Sequence, residues 1–325
     1  MAQNENPEKA VMQTSPPRVR DVTGTFFIGL CRATTVVMVG TLLWILGTIL
    51  VGGWEHITWE FLSATPRGGM TEGGIFPAIF GTLCVTLLMV LMAMPLGVFS
   101  AIYLVEYAGP SRMARVIRAA VNNLAGVPSI VFGLFGVGFF ILFVGRNIDS
   151  LAGTGLLFGQ PAMLWASATL SCLVLPVVIV TTEEALSAVP QSHREAAYGL
   201  GATQWQVVSG VVLPQARAGI LTGAILAVSR GAGETAPILF TGCAYFLPRL
   251  PVTHLFGVIP MVNPLDQFME LSYHIFIMAT QSTNTTATRP IQYATTMVLL
   301  GLTFGLNLAA ILFRSHFRRQ VRRVS

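Results

Sequence analysis

Charged side chains are scarce in this 325-residue chain: lysine, arginine, aspartate and glutamate together make up 10% of it, and Lys9 is the sole lysine. That scarcity excludes a P-loop, because the phosphate-cradling pattern G-x-x-x-x-G-K-[ST] needs a lysine inside its glycine turn, and Lys9 follows Pro7-Glu8 instead. The only aspartates are Asp21, Asp149 and Asp266, and His56, His193, His254, His274 and His316 form no H-E-x-x-H or other close pattern. All of these read as loop, surface or membrane-interface residues, so acid–base, nucleophilic and zinc chemistry have no constellation to work with. Cys31, Cys84, Cys172 and Cys243 are too far apart for a paired-cysteine metal site and read as free thiols. The expectation is no catalytic residue, no metal site and no cofactor held by this chain.

What is abundant is apolar surface, with 53% of residues hydrophobic and a mean hydropathy of +0.69. One soluble core could not bury that much, and a bilayer is the natural solvent. A helix needs about 20 apolar residues to cross the hydrocarbon, where it satisfies its own backbone hydrogen bonds. Six stretches meet this: Ala33–Gly53, Gly74–Val105, Ala120–Val144, Ala162–Thr182, Ala216–Thr241 and Tyr293–Phe313. The fold class is an all-α integral membrane protein with six transmembrane helices.

Alternating the loops across the membrane puts Lys9, Arg112, Arg115, Arg118, Arg194, Arg217 and the Arg314–Arg323 group on one side, against Arg67, Arg146, Arg249 and Arg289 on the other. The positive-inside bias then predicts a multi-pass inner-membrane protein with both termini in the cytoplasm. The net charge of +5 reports this topology and not a nucleic-acid partner, and the basic C-terminus reads as a topological anchor beside membrane lipid.

Residues 1–25 are polar, carry Pro7, Pro16 and Pro17, and show no cleavable signal pattern, which suits a disordered cytoplasmic tail. The organisation expected is this tail, a first helix with its outer loop over 26–73, a permease-like transmembrane region over 74–313, and a basic tail over 314–325. Within the third part, residues 183–214 form a cytoplasmic loop and 242–292 an outer loop. Asn263-Pro264 reads in the outer loop as the start of a short amphipathic helix through Ala279. Gly219 with Gly223, and Gly301 with Gly305, have the four-residue spacing that lets membrane helices approach closely.

The 183–214 loop reads as two short helices. Ser192-x-x-Glu195 and Thr203-x-x-Gln206 have the form of capping boxes, Gly199 and Gly201 break the chain between them, and Pro190 and Pro214 bound the unit. Here Glu195-Ala196-Ala197, then Gly201 six residues after the glutamate, then Val211-Val212-Leu213-Pro214, resemble the EAA motif of type I ABC importer permeases. The chain departs from the usual motif at Val211, where isoleucine is common. The resemblance implies a helix–turn–helix that docks on a separate ATPase, with Glu195 in contact, Ala196 and Ala197 leaving room, Gly201 making the bend, and Leu213 and Pro214 closing the motif. ATP and Mg2+ would be used by that partner.

In the fifth stretch, Arg230 and Glu234 stand four residues apart among Gly231, Gly233 and Pro237, which weaken a helix. Each charge costs on the order of 2.5–3.5 kcal/mol at the bilayer centre, so both should face protein, water or each other. An arginine fork binds an oxyanion, and the neighbouring carboxylate can accept a proton from a hydrogen phosphate; a structural ion pair is the plainer reading.

The run Arg230-Gly231-Ala232-Gly233-Glu234-Thr235-Ala236-Pro237, together with Gly126-Val127-Pro128-Ser129-Ile130-Val131-Phe132-Gly133-Leu134-Phe135-Gly136, resembles the PstA family, one of two sister permeases in phosphate importers. This resemblance implies the type I permease fold and phosphate import, with Arg230, Glu234 and Thr235 on the path. It also implies a heterodimer with a PstC-like subunit, a PstB-like ATPase dimer and a PstS-like periplasmic phosphate-binding protein. A permease for sulfate or molybdate, and a secondary anion carrier, remain alternatives; a carrier has no use for an ATPase-docking loop.

Overall fold

A computed structural model describes residues 22–321 except 71, 256–258 and 283–284. Most of the polar tail, and Arg322 and Arg323, lie outside the described residues. The chain divides into two units, residues 1–48 and 49–325. The first consists, where described, of helix α1 (Val22–Gly53) up to Thr48. Apart from Arg32 it is apolar on every face, and Thr34, Thr41 and Thr48 return their hydroxyls to carbonyls one turn back, as a helix in hydrocarbon requires.

The second unit opens with α2 (Trp59–Ser63), capped by Thr58, and a two-residue ribbon pairing β1 (Pro66–Arg67) with β2 (Glu72–Gly73). Helix α3 (Phe76–Ile102) continues through a π turn at Tyr103–Tyr107. Amphipathic α4 (Arg112–Leu124) starts at Ser111, whose hydroxyl accepts from the Ala114 amide. Helix α5 (Ser129–Phe135) runs through a π segment at Gly136–Gly145 into α6 (Arg146–Ala152), and α7 follows (Met163–Ser187). Helices α8 (Gln191–Gly199) and α9 (Gln204–Val207) form the hairpin, and α9 passes through a π turn at Val208–Val212 into α10 (Leu213–Gly231). Strands β3 (Val252–Leu255) and β4 (Ile259–Val262) pair antiparallel, and α11 (Leu271–Thr280) and α12 (Thr285–Val321) complete the chain.

Among the described residues six helical runs are long and apolar enough to span a membrane: Thr23–His56, Phe76–Tyr107, Ser129–Ala152, Met163–Ser187, Gln204–Gly231 and Thr286–Ser315. Several ends differ from the sequence expectation, those of the third and fifth runs among them. The third run starts at Ser129, not Ala120, because Gly126-Val127-Pro128 separates it from the amphipathic α4. The fifth starts at Gln204 and stops at Gly231, so Pro214 lies inside this run, directly after the π turn at Val208–Val212, and does not bound the hairpin.

Helix α7 is the axis of the core. Val85, Met89, Ala93, Leu170, Val174, Val178 and Ala227 pack together from α3, α7 and α10. The Ser171 hydroxyl donates to Met89 O at 2.9 Å and to Ser167 O at 2.7 Å, tying α7 to α3. A methyl at Gly219 would lie 2.3 Å from Ala185 Cβ, and one at Gly223 2.4 Å from Thr181 Oγ1, so this pair of glycines does bring α10 against α7. Gly301 and Gly305 face open space.

Three polar residues read as exposed or in loops are buried. Asp149, in the last turn of α6, gathers the amides of Leu157 at 3.2 Å, Phe158 at 2.9 Å and Gly159 at 2.6 Å, so its charge orders the following loop. Glu270 caps α11 by accepting from the Tyr273 amide at 2.9 Å, and Asn263-Pro264 lies in a turn before it, so the outer helix starts seven residues later than expected. His274 is 2% exposed within α11.

Candidate functional site

Helix α10 ends where the charged pair begins. Arg230 stands in its last turn, where a cation complements the helix dipole, and Glu234 lies beyond the end, not on a shared helical face. Residues 232–242 run in turns, stitched by Glu234 N to Gly231 O at 3.3 Å and Leu239 N to Thr235 O at 3.1 Å. The depth of this break is set by its neighbours. A methyl at Gly231 would meet Met89 Sδ at 2.2 Å and Val174 Cγ1 at 3.8 Å, residues near the middle of the second and fourth spans. The helical part of the fifth span thus stops half-way, and non-helical backbone continues to Gly242, packed against the Ala162 backbone at the start of α7.

The two stretches that carry the family resemblance meet here. A methyl at Gly133 would lie 2.9 Å from Ala236 O, and one at Gly136 2.7 Å from Thr241 Cγ2. Both glycines let the turn segment lie against α5 and the π segment after it. Arg230 Nε is 3.9 Å from Glu234 Oε1, too far for a hydrogen bond, and the side chains are 37% and 25% exposed. Among the described residues neither side chain makes a hydrogen bond, so the guanidinium keeps its donors free. Thr235 is half-buried beside them. Cavities of about 340 Å³ lie beside His274 and beside an Arg118–Glu183 ion pair; Arg230 lines neither.

The hairpin is built differently from the expectation at its first cap. Pro190 occupies the N-cap of α8 with no side-chain bond, so Ser192 is inside the helix. The second cap forms: Thr203 Oγ1 accepts from the Gln206 amide at 3.4 Å, and Gln206 Oε1 accepts from the Thr203 amide at 2.8 Å. Gly201 makes the bend at φ +83°, a conformation that favours glycine. Glu195 and Ala196 are exposed, Ala197 and Leu213 pack on the apolar cluster beneath, and Pro214 is exposed. Leu200 and Trp205 also stand out into solvent.

Sequence reading did not mark the residues that tie the hairpin down. Arg194, 8% exposed, donates to Glu106 Oε1 at 2.9 Å and to Leu186 O at 2.8 Å, and also bonds Val189 O; Gln204 donates to Glu106 O. Arg118 pairs with Glu183 at 3.3 Å and donates to Leu104 O at 2.8 Å. The available signal was a lone acid, Glu106, at the end of the second apolar stretch.

Comparison with known proteins agrees with this architecture. Residues 93–323 match the family model of the binding-protein-dependent transport system inner membrane component. The phosphate transport system permease protein PstA 1 of Mycobacterium tuberculosis is 39% identical over 222 residues, covering 67% of each chain. The PstA protein of Pasteurella multocida is 34% identical over 240 residues, 71% of this chain and 80% of that protein. A chain in the crystal structure of a bacterial alginate ABC transporter, in complex with an alginate pentasaccharide-bound periplasmic protein, superposes with a TM-score of 0.57 at 14% identity, over 90% of this chain and 96% of that one. The chain, helical but for two short β ribbons and with six candidate spans among its described residues, has the type I ABC importer permease fold, and it belongs to the binding-protein-dependent transport permeases, among them to the family of the PstA proteins.

Proposed function

We propose that this chain is the permease subunit through which an ATP-driven importer moves inorganic phosphate across the inner membrane. The observation that carries the reading is the free guanidinium of Arg230 at the point, midway along the neighbouring spans, where the fifth helix gives way to non-helical turns. Its N–H groups can donate to two phosphate oxygens, while Glu234, 3.9 Å away and not hydrogen-bonded, can accept from the P–OH of a hydrogen phosphate. Sulfate has no proton to give that carboxylate, which favours phosphate within the oxyanions. Thr235 supplies a further hydroxyl beside the path.

The exposed face of the hairpin, Glu195 and Ala196 with Gly201 at its bend, suits docking on a PstB-like ATPase dimer, which would bind ATP and Mg2+; Ala197, Leu213 and Pro214 join that face to the fifth span. A PstC-like sister permease would complete the path, and a PstS-like periplasmic protein would deliver phosphate from the side opposite the hairpin. The arginine bias supports a cytoplasmic hairpin and cytoplasmic termini. The test is uptake of radiolabelled phosphate by cells carrying Arg230→Ala or Glu234→Ala, with assembly checked by co-purification. Loss of uptake in assembled complexes, with excess sulfate failing to compete in the parent, is expected. Normal uptake in both variants would remove the pair from the path.

A further inference from the structure

We infer that Glu106, at the end of the second span, is the positioning residue through which both helices of the hairpin hold the membrane region, with Arg194 as its latch. This rests on the docking role proposed above and adds where the motion goes. The carboxylate of Glu106 takes the Arg194 guanidinium from α8 at 2.9 Å, and its own carbonyl takes the Gln204 amide from α9. One residue of the second span is thus gripped by both arms of the hairpin. The same guanidinium reaches Leu186 O and Val189 O at the end of α7, so a single buried side chain joins the hairpin, the second span and the fourth.

The pair has the burial expected of a fixed joint. Its side chains are 10% and 7% exposed, and Ala101, Ile102, Leu186, Val189, Val207, Val208 and Val212 pack into one apolar cluster from the same elements. In this low-dielectric setting the arginine holds three acceptors from two elements, so the hairpin cannot tilt without carrying Glu106 and the end of α7 with it. The backbone on each side of the joint departs from α geometry. Glu106 lies within the π turn at Tyr103–Tyr107, and the chain after α9 passes through the π turn at Val208–Val212. Single π turns are places where a helix can change register, which suits elements that must shift when the hairpin is pushed.

The joint also explains why a hairpin with an exposed outer face moves as a body. Glu195, beside Arg194 in sequence, points outward while Arg194 points inward, so a partner engaged on one side is one residue from the latch on the other.

The experiment uses the whole importer reconstituted with its ATPase and binding protein, and reads phosphate taken up per ATP hydrolysed. For Glu106→Gln, which keeps an acceptor and loses the charge, the ATPase stays bound and ATP turnover continues, but uptake per ATP falls roughly tenfold. Gln204→Ala, which loosens the second grip at an exposed side chain, shifts the ratio in the same direction by a smaller factor and serves as the readout if Glu106→Gln does not assemble. A wild-type ratio in every variant that assembles overturns the inference. Glu195→Arg in the same preparation separates the two ideas: if it leaves ATPase binding intact the docking role fails, whereas loss of binding there with an unchanged ratio in the Glu106 and Gln204 variants removes the latch alone.

Discussion

Two arginine–glutamate pairs in this chain have opposite designs. Arg194 and Glu106 meet at 2.9 Å from segments 88 residues apart, almost wholly enclosed, with the guanidinium's remaining reach taken by backbone carbonyls. Arg230 and Glu234 are four residues apart in sequence, stand 3.9 Å apart, and stay 37% and 25% exposed with no hydrogen bond between them. The first arrangement fixes elements in place. The second leaves charge and donors free in a region of non-helical backbone, which is what a group that meets a passing anion needs.

The largest expected effect tests the closed pair. Arg194→Ala strands the Glu106 carboxylate among apolar residues, and removing one partner of a buried pair costs about 3–5 kcal/mol. The purified protein in detergent should unfold at a markedly lower temperature; a change near zero would show that the pair is open in solution. The open pair should behave in the reverse way. Arg230→Ala changes stability by less than about 1 kcal/mol, because a pair this exposed is screened by solvent. Yet it removes charge-assisted hydrogen bonds worth about 1.5–3 kcal/mol each, so uptake drops at least about tenfold. Equal losses of stability in the two variants would erase the contrast.

The contrast was only half legible in the sequence. Apolar runs of span length announced all six crossings, and the spacing of Glu195, Gly201 and Pro214 announced the hairpin. Hydropathy cannot register where a helix stops, and the run Ala236-Pro237-Ile238-Leu239-Phe240 is as apolar as the helix before it, so the fifth stretch ran to Thr241 by hydropathy, while Gly231, Gly233 and Pro237 marked a weak helix without marking its end. Merging α4 with the third span has the same origin, since Ala119, Ala120 and Val121 extend the apolar run backwards across the break at Pro128. The partner of Arg194 was invisible for a different reason. Nothing local to either residue encodes a contact made only when α8 folds back against the end of the second span. The packing of Gly133 against Ala236 is of the same kind.

Glu270 supplies an intermediate case: a carboxylate more buried than Glu106 but with no arginine among the described residues beside it. Burial pushes its pKa up to about 7, although the Ser272 hydroxyl and the Tyr273 amide both donate to it. One turn along α11, burial holds His274 down at about 4, and both its ring nitrogens lack partners among the described residues. The signs oppose. Glu270 favours the folded state at low pH and loses that contribution as pH rises from about 4.5 to about 7, because the unfolded carboxyl ionises first. His274 favours it at neutral pH and loses that contribution as pH falls from 6.5 to about 4, because the unfolded imidazole takes up a proton that the folded one refuses. Glu270→Gln should therefore leave stability falling on acidification, and His274→Leu should leave it rising, each with a slope approaching about 1.4 kcal/mol per pH unit. Thermal unfolding across pH 4–7.5 distinguishes them, and profiles parallel to the parent's would mean that neither group is sealed from water.

The smallest effect compares one glycine from each region. Gly201 holds the hairpin bend at φ +83°, and a methyl added there meets no atom within 4 Å, so Gly201→Ala strains only the backbone, by about 1–2 kcal/mol. Gly233, between Arg230 and Glu234 in the sense of the chain, has neither a left-handed φ nor a neighbour within 4 Å, and Gly233→Ala should leave stability within about 0.5 kcal/mol. Uptake separates what stability cannot. If the bend delivers motion, Gly201→Ala lowers uptake together with stability, through a hairpin that no longer sits at its angle. Gly233→Ala lowers uptake with stability unchanged only if the anion passes close to that backbone, since a methyl there obstructs nothing in the resting protein. A Gly233→Ala variant that transports normally would place the route on the side-chain face of Arg230 and away from the turn that follows it.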